Sequence, residues 1–242
     1  MAAKVWGHRG ASGYAPENTL EAFELAARQG AHGVELDVHF SRDGEIVVIH
    51  DEAIDRVSDG SGLVRDMTLS QLKRFAFNKT HPEYANARIP TLREVYELLL
   101  PLGLTVNVEL KTSRVPYPGL EAACIDLAAK MGMTQRVLYS SFNHYSVARV
   151  KEIDPSLPCG LLYGDVPCRP WDYARSLGMD ALHPDFVSLA FDDTCREAHA
   201  LGVRVHPWTV NREEDIRACL AMGVDAIITN YPDVALRVLG EG

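Results

Sequence analysis

The chain has 242 residues, of which 47% are hydrophobic and 24% charged, with a formal net charge of −9. That length suits one large domain, and the profile is an ordinary globular one with ample material for a core. The acidic balance argues against nucleic acid or an anionic membrane surface as a principal partner, while leaving room for an anionic small molecule at a locally positive site.

Five cysteines, Cys124, Cys159, Cys168, Cys195 and Cys219, are scattered without a Cys-x-x-Cys pair. They fit free thiols in a reducing compartment and speak against a structural zinc site. The first eight residues hold no apolar run of signal-peptide length, and the stretch Leu98 to Leu100 is broken by Pro101 and Gly103. No spanning helix or stable membrane association is therefore expected, and a cytoplasmic location is.

Strands and helices alternate along the chain. Lys4 to His8 is a short apolar strand; a helix is expected from about Glu17 to Gln29, with Pro16 just before it and Gly30 closing it. Val34 to Val38 is the second strand, and Glu45 to His50 returns beside it as a hairpin arm. Glu52 to Arg88 reads as a polar, irregular insertion with a turn at Asp59-Gly60-Ser61-Gly62. Thr91 and Glu94 form a capping box for a helix reaching Leu100. Thr105 to Leu110, Val137 to Ser141, Gly160 to Tyr163, Ala181 to His183, Val203 to Trp208 and Ala226 to Thr229 read as further strands. Helices fill the intervals, and one from Asp233 to Leu239 follows the last strand.

The stretch from Gly33 to Asp51 is where the pattern becomes chemical. Val34, Leu36 and Val38 alternate with Glu35 and Asp37, so both carboxylates leave one face of a strand. Two acids that close raise each other's pKa unless a cation or donor compensates. Asp43-Gly44 is a strong turn dipeptide; taken as a two-residue loop it sets Arg42 against Glu45 and His50 opposite Asp37. One hairpin thus brings an imidazole beside two carboxylates.

Eight strand–helix units plus one extra arm require parallel pairing and right-handed crossovers. At this length they predict an α/β fold, a (β/α)8 TIM barrel with a short hairpin and insertion after the second strand. An open doubly wound sheet fits less well, because His8-Arg9-Gly10-Ala11-Ser12-Gly13 lacks the spacing of a glycine-rich phosphate loop. With no repeat or linker, one domain over 1–242 with an insertion at 52–88 is expected. Barrel chemistry sits where strands end. The first neighbouring strands end in His8, Arg9, Glu35, Asp37, His50, Glu109 and Lys111, and a later one in Trp208.

His8-Arg9-Gly10, Pro16-Glu17-Asn18-Thr19, Glu35-Leu36-Asp37-Val38, His50-Asp51 and Val108-Glu109-Leu110-Lys111, in that order, resemble the glycerophosphodiester phosphodiesterase family. The likeness runs on to Trp208-Thr209-Val210-Asn211 and Thr229-Asn230-Tyr231-Pro232. It is to the compact, cytoplasmic bacterial members. The resemblance implies metal-dependent hydrolysis of glycerophosphodiesters to sn-glycerol 3-phosphate and an alcohol. It also implies that Glu35, Asp37 and Glu109 hold a divalent cation, that His8 and His50 act as acid and base, and that a glycerol hydroxyl is the nucleophile. Many members carry Asp at the position of Asn230, and the insertion here is short.

The residues lead to similar chemistry on their own. Three carboxylates without a soft ligand suit a hard cation, Mg²⁺ or Ca²⁺, and do not separate the two. Arg9 and Lys111 are placed to stabilise charge growing on a phosphodiester, and Trp208 to form a pocket wall. Two imidazoles suit general acid and base, in either order. Plainer readings stand beside these: His8 as a core histidine, Arg9 in an ion pair with a carboxylate, Glu17 and Asn18 as helix caps. His39 and Asp43 read as turn-region groups, and His144, His183 and His206 as structural. A lysophospholipase D using the same site is the alternative function, followed by a sugar-phosphate isomerase and a non-catalytic binding barrel.

Overall fold

The structure, a computed structural model, describes residues 3–240. Among them nine strands form one sheet: β1 (Lys4–His8), β2 (Gly33–Phe40), β3 (Ile46–Val48), β4 (Thr105–Leu110), β5 (Val137–Ser141), β6 (Cys159–Tyr163), β7 (Ala181–Pro184), β8 (Arg204–Val205) and β9 (Ala226–Thr229). Eight are parallel neighbours in the order β8-β7-β6-β5-β4-β2-β1-β9, and β3 hangs antiparallel from β2. The remaining seam is bridged by backbone bonds from Asp225 N to the Val205 carbonyl (2.9 Å), Ile228 N to Pro207 (3.0 Å) and Val210 N to Ile228 (3.0 Å). With the helices α1 (Leu20–Arg28), α3 (Leu92–Leu99), α4 (Leu120–Lys130), α5 (His144–Ile153), α6 (Pro170–Ser176), α7 (Thr194–Ala200), α8 (Glu213–Ala221) and α9 (Pro232–Gly240) around it, and the one-turn α2 (Leu69–Leu72) in the insertion, the fold is the expected TIM barrel.

Side-chain alternation divides this sheet into two faces. Val34, Leu36, Val38, Val106, Val108 and Leu110 pack outward against helices in the main core. Trp6, Leu138, Ala226 and Ile228 fill the barrel interior below the site. His183 and His206 belong to that inner layer: their rings lie 4.8 Å apart, both are buried, and Trp6 packs edge-on to His206. Gly160 is required there, since a Cβ would stand 2.4 Å from His183 Nε2.

Two local expectations need correction. The hairpin register is Val38 to Val48 and Phe40 to Ile46, one residue off the sequence reading, so Ile49 rather than His50 pairs with Asp37. The cause is a three-residue loop: Ser41 N bonds the Glu45 carbonyl (2.9 Å), and Gly44 takes the left-handed conformation, φ +83°, that such loops place at their end. Helix α1 begins three residues late, because Asn18 has φ +58° and Thr19 is the cap, accepting from Ala22 N. The insertion is less irregular than its composition suggests. Ile54, Val57, Val64, Leu72 and Phe77 form a small core with Val47, Ile49 and Ile89, which seats it on β3. The capping boxes at Thr68–Gln71 and Thr91–Glu94 both form.

Burial drops the His183 pKa to about 3, and burial with His183 and Arg204 holds His206 well below the imidazole range. The unfolded chain takes up these protons near pH 6.5 and the folded chain does not, so their stabilising contribution is full above 6.5 and lost as pH falls below it. In urea titrations, His183→Gln is expected to lower the pH dependence of unfolding between pH 6 and 5 by about 1.4 kcal/mol per pH unit, the slope of one proton. The difference between the two slopes isolates the imidazole from carboxylates that titrate in the opposite sense.

Candidate active site

The carboxyl ends of β1, β2 and β4 bring the acids together. Register pairs His8 with Glu35 and Asp37 with Glu109, so neighbouring strands stack their inward residues at one level. One oxygen from each of Glu35, Asp37 and Glu109 lies within 4.8 Å of the others, and all three residues are buried. Burial, then Asp37 and Glu109, pushes the Glu35 carboxyl well above its ordinary value. Burial drives Glu109 up to about 7, against the opposing pull of Lys111. Burial also opposes ionisation of Asp37, but Lys111, Arg9 and the Asn18 amide outweigh it and hold that carboxyl well below the carboxylate range.

The compensating groups are specific. Lys111 Nζ donates to Glu109 Oε1 (2.8 Å) and stands 3.5 Å from Asp37 Oδ1. Arg9 N donates to Glu35 Oε2 (3.0 Å), while its guanidinium pairs with Glu17 (2.9 Å) and Asp37 (3.4 Å). Arg9 at φ +56° and Gly10 at φ +84° turn the chain sharply enough to aim that amide; a Cβ on Gly10 would sit 2.6 Å from the Ala22 backbone. Asn18 Nδ2 donates to Asp37 Oδ2 (2.8 Å), so its left-handed backbone serves the strand rather than the helix cap. Asp37 Oδ1 is buried with no hydrogen-bond partner. An orphaned carboxylate oxygen beside two further acids suits a hard cation with oxygen ligands.

His8 and His50 reach the same mouth from β1 and from the residues after β3. His8 Nδ1 lies 2.7 Å from Asn230 Oδ1, and Ser12 Oγ donates to that same oxygen (3.0 Å). The oxygen accepts, so Nδ1 carries the proton and Nε2 keeps its lone pair. Burial and Arg9 lower the His8 pKa to about 4. His50 Nδ1 donates to Asp51 Oδ1 at 2.6 Å. Arg56 and His50 overcome burial and pull the Asp51 carboxyl down to about 2. His39, expected in the turn region, is instead fully buried within β2; its Nε2 donates to the His50 carbonyl (3.2 Å) and its Nδ1 meets the Tyr117 hydroxyl (3.2 Å).

Arg56 joins the two halves of the site. It bonds both oxygens of Glu17 (2.7 and 2.8 Å) and both of Asp51 (2.7 and 3.2 Å). A continuous chain thus runs Asp37, Arg9, Glu17, Arg56, Asp51, His50. Trp208 stands across the mouth, its indole held by the His183 carbonyl (2.8 Å) and its ring edge-on to Phe142. An inner cavity of about 40 Å³ touches His8, Arg9, Glu35, His50, Glu109 and Trp208. Through His50 and Phe142 it adjoins an outer one of about 640 Å³ lined by Asp51, Glu52, Lys111, Ser113 and Arg114. All eight residues singled out from the sequence therefore sit in or against this mouth, and His144, bonded to the Leu162 carbonyl (2.9 Å), does not. The structure adds Arg56 and Phe142, and it gives site partners to Asn18, Asp51 and Asn230 of the quoted motifs.

The sequence matches the model of the Glycerophosphoryl diester phosphodiesterase family over residues 8–234. The chain belongs to this family. The phosphodiesterase is 41% identical to a glycerophosphodiester phosphodiesterase of Caldanaerobacter subterraneus subsp. tengcongensis, over the whole of both chains. It is 37% identical to one from Bacillus altitudinis, over 98% of each. Among solved structures it resembles an Oleispira antarctica phosphodiesterase in complex with the product sn-glycerol-3-phosphate, at a TM-score of 0.88 and 31% identity, covering 99% of this chain and 97% of that one.

Arg56 is the link between the two halves of the site, through Glu17 on one side and Asp51 on the other. Arg56→Ala is expected to reduce kcat about 10- to 100-fold, the usual effect of losing a supporting hydrogen-bond partner. Far-UV circular dichroism and the melting temperature, measured in parallel, should stay near wild type because this side chain is 44% exposed.

Proposed function

We propose that this phosphodiesterase hydrolyses glycerophosphodiesters such as glycerophosphocholine or glycerophosphoethanolamine to sn-glycerol 3-phosphate and an alcohol, with His8 and His50 as its acid–base pair. The observation that carries the reading is a cluster of three buried carboxylates, two of which meet two imidazoles in the wall of one cavity. Glu35, Asp37 and Glu109 would hold one divalent cation, Mg²⁺ or Ca²⁺; bound there, it supplies positive charge to phosphoryl oxygens and favours ionisation of a nearby hydroxyl.

This chain's own residues supply the remaining steps. His8 is neutral near pH 7, its proton fixed on Nδ1 by Asn230, so Nε2 is free to accept one: it is the general base. It takes the proton of the glycerol hydroxyl next to the phosphoester as that oxygen attacks phosphorus. His50, oriented by Asp51, is the general acid; it delivers a proton to the departing alkoxide as the P–O bond breaks. The cyclic phosphate left behind is opened by water with the two roles reversed. Arg9 and Lys111 bring cationic charge to the wall that faces the phosphodiester. Trp208 and Phe142 narrow the passage between the inner cavity and the outer one, where the alcohol portion sits. Asp51, Glu52, Lys111 and Arg114 on the walls of that outer cavity suit a polar alcohol portion better than the acyl chain that the lysophospholipase D alternative requires.

Glycerol 3-phosphate release from glycerophosphocholine should stop on chelation and return with Mg²⁺ or Ca²⁺; chelator-independent turnover would remove the cation from the reading. His8→Ala and His50→Ala should each cost about 10²–10⁴-fold in kcat, and normal turnover in either rejects its acid–base role. Asn18→Ala should weaken divalent-cation binding about 10- to 100-fold by calorimetry, since it frees one oxygen of Asp37.

A further inference from the structure

The other end of the barrel carries a cavity of about 560 Å³, and its polar walls are supplied by the starts of the strands. Lys4 opens β1, His32 precedes β2, Arg136 precedes β5, Arg204 opens β8, and His206 follows it. Among the described residues no carboxylate lines it, although the chain as a whole carries a net charge of −9. The two acids close by are already engaged. Asp180 accepts from Cys159 N (2.8 Å) and pairs with Lys151 (2.7 Å); Asp225 accepts from Val205 N (2.8 Å) and faces His199 (2.8 Å). Among the described residues neither Lys4 nor Arg204 has an ion-pair partner, and Arg136 donates to the Leu100 carbonyl (2.8 Å), which leaves its charge uncompensated.

The imidazoles add donors rather than acceptors. His32 Nδ1 accepts from Val5 N (3.0 Å), so its proton sits on Nε2. His206 Nδ1 meets His183 Nε2 at 3.0 Å, and His183 Nδ1 is buried without a partner. A buried orphan acceptor costs less than a buried orphan donor. Both placements of the shared proton leave one N–H unpaired, and it costs less on the His206 ring, which lines the cavity, than on the fully buried His183 Nδ1, so the shared proton is assigned to His183 Nε2 and His206 carries its own on Nε2. Three cations and two fixed N–H groups surround one volume, with the Trp6 ring beside them. A tetrahedral dianion meets that many donors; a planar carboxylate, with two oxygens and one charge, does not.

We propose that this basal cavity is a second binding site, for a phosphate-bearing small anion, at the opposite end of the barrel from the catalytic mouth. The three tryptophans are separate reporters: Trp6 lines the basal cavity, Trp208 the catalytic mouth, and Trp171 is buried in α6. In ¹H–¹⁵N spectra at constant ionic strength, inorganic phosphate and sn-glycerol 3-phosphate are titrated separately against chloride. The Trp6 indole signal is expected to move saturably with phosphate and not with chloride. The double variant Lys4→Ala, Arg204→Ala should weaken that response at least about tenfold, the loss expected for charge-assisted bonds, while any Trp208 response is retained. Should the double variant lose its fold by circular dichroism, Arg204→Gln, at an exposed strand end, supplies the same comparison. Equal affinity for both ligands assigns the site to free phosphate, and tighter binding of the monoester assigns it to an organic phosphate. A Trp6 shift reproduced by chloride, a shift confined to Trp208, or unchanged affinity in the variants overturns the proposal.

Discussion

Three buried carboxylates within 4.8 Å of one another are the costliest feature of the molecule, and much of the architecture around them is compensation. Lys111 offsets Glu109 and Asp37, the Arg9 backbone amide and guanidinium offset Glu35 and Asp37, and Asn18 gives Asp37 a neutral donor. The compensation is uneven. Asp37 stays ionised, whereas burial and the Asp37 charge drive Glu35 and Glu109 upward, Glu35 with a further push from Glu109. An acidic cluster left with repulsion and with one buried oxygen that accepts no hydrogen bond is arranged to receive positive charge, and that need connects the fold to the chemistry.

The compensating residues also assemble the rest of the site. Arg9 faces Asp37 on one side and Glu17 on the other; Glu17 passes the link to Arg56, and Arg56 to Asp51 and His50. The insertion that carries Arg56 therefore does more than cover the barrel mouth. Its small core of Ile54, Val57, Val64, Leu72 and Phe77 fixes the platform from which Arg56 reaches Glu17, 39 positions earlier in the chain. Packing in one segment thereby sets the angle of an imidazole attached to another. The two histidines end in different electrostatic settings, one against a neutral amide and one against a carboxylate, which suits them to the different roles proposed for them.

Much of this was legible in the sequence for a simple reason: a strand has a period of two. The alternation of Val34, Leu36 and Val38 with Glu35 and Asp37 places both acids on the inner face whatever the rest of the chain does, and the same count places Glu109 below Lys111. The barrel followed from the number of strand–helix units, and barrel geometry then selected the strand ends that carry the site. Arg56 is not singled out in the sequence and Asn18 reads as a helix cap, because their partners are distant in sequence and their own neighbours suggest other duties. Asn18 stands where a helix cap is expected and takes φ +58° instead, and Arg56 lies in a segment that reads as polar loop.

The sequence by itself determined the order of strands and helices, the face from which each acid projects and the capping of α3, because these depend on periodicity and neighbours within one turn. Tertiary structure decided the hairpin register, since a three-residue loop with Gly44 left-handed shifts every pairing by one, and it moved His39 from an expected turn into the core. It also decided the closing seam between β9 and the residues after β8, and the ring of donors at the barrel base. Those features join residues far apart in the chain, and only the closed ring of strands brings them within bonding distance.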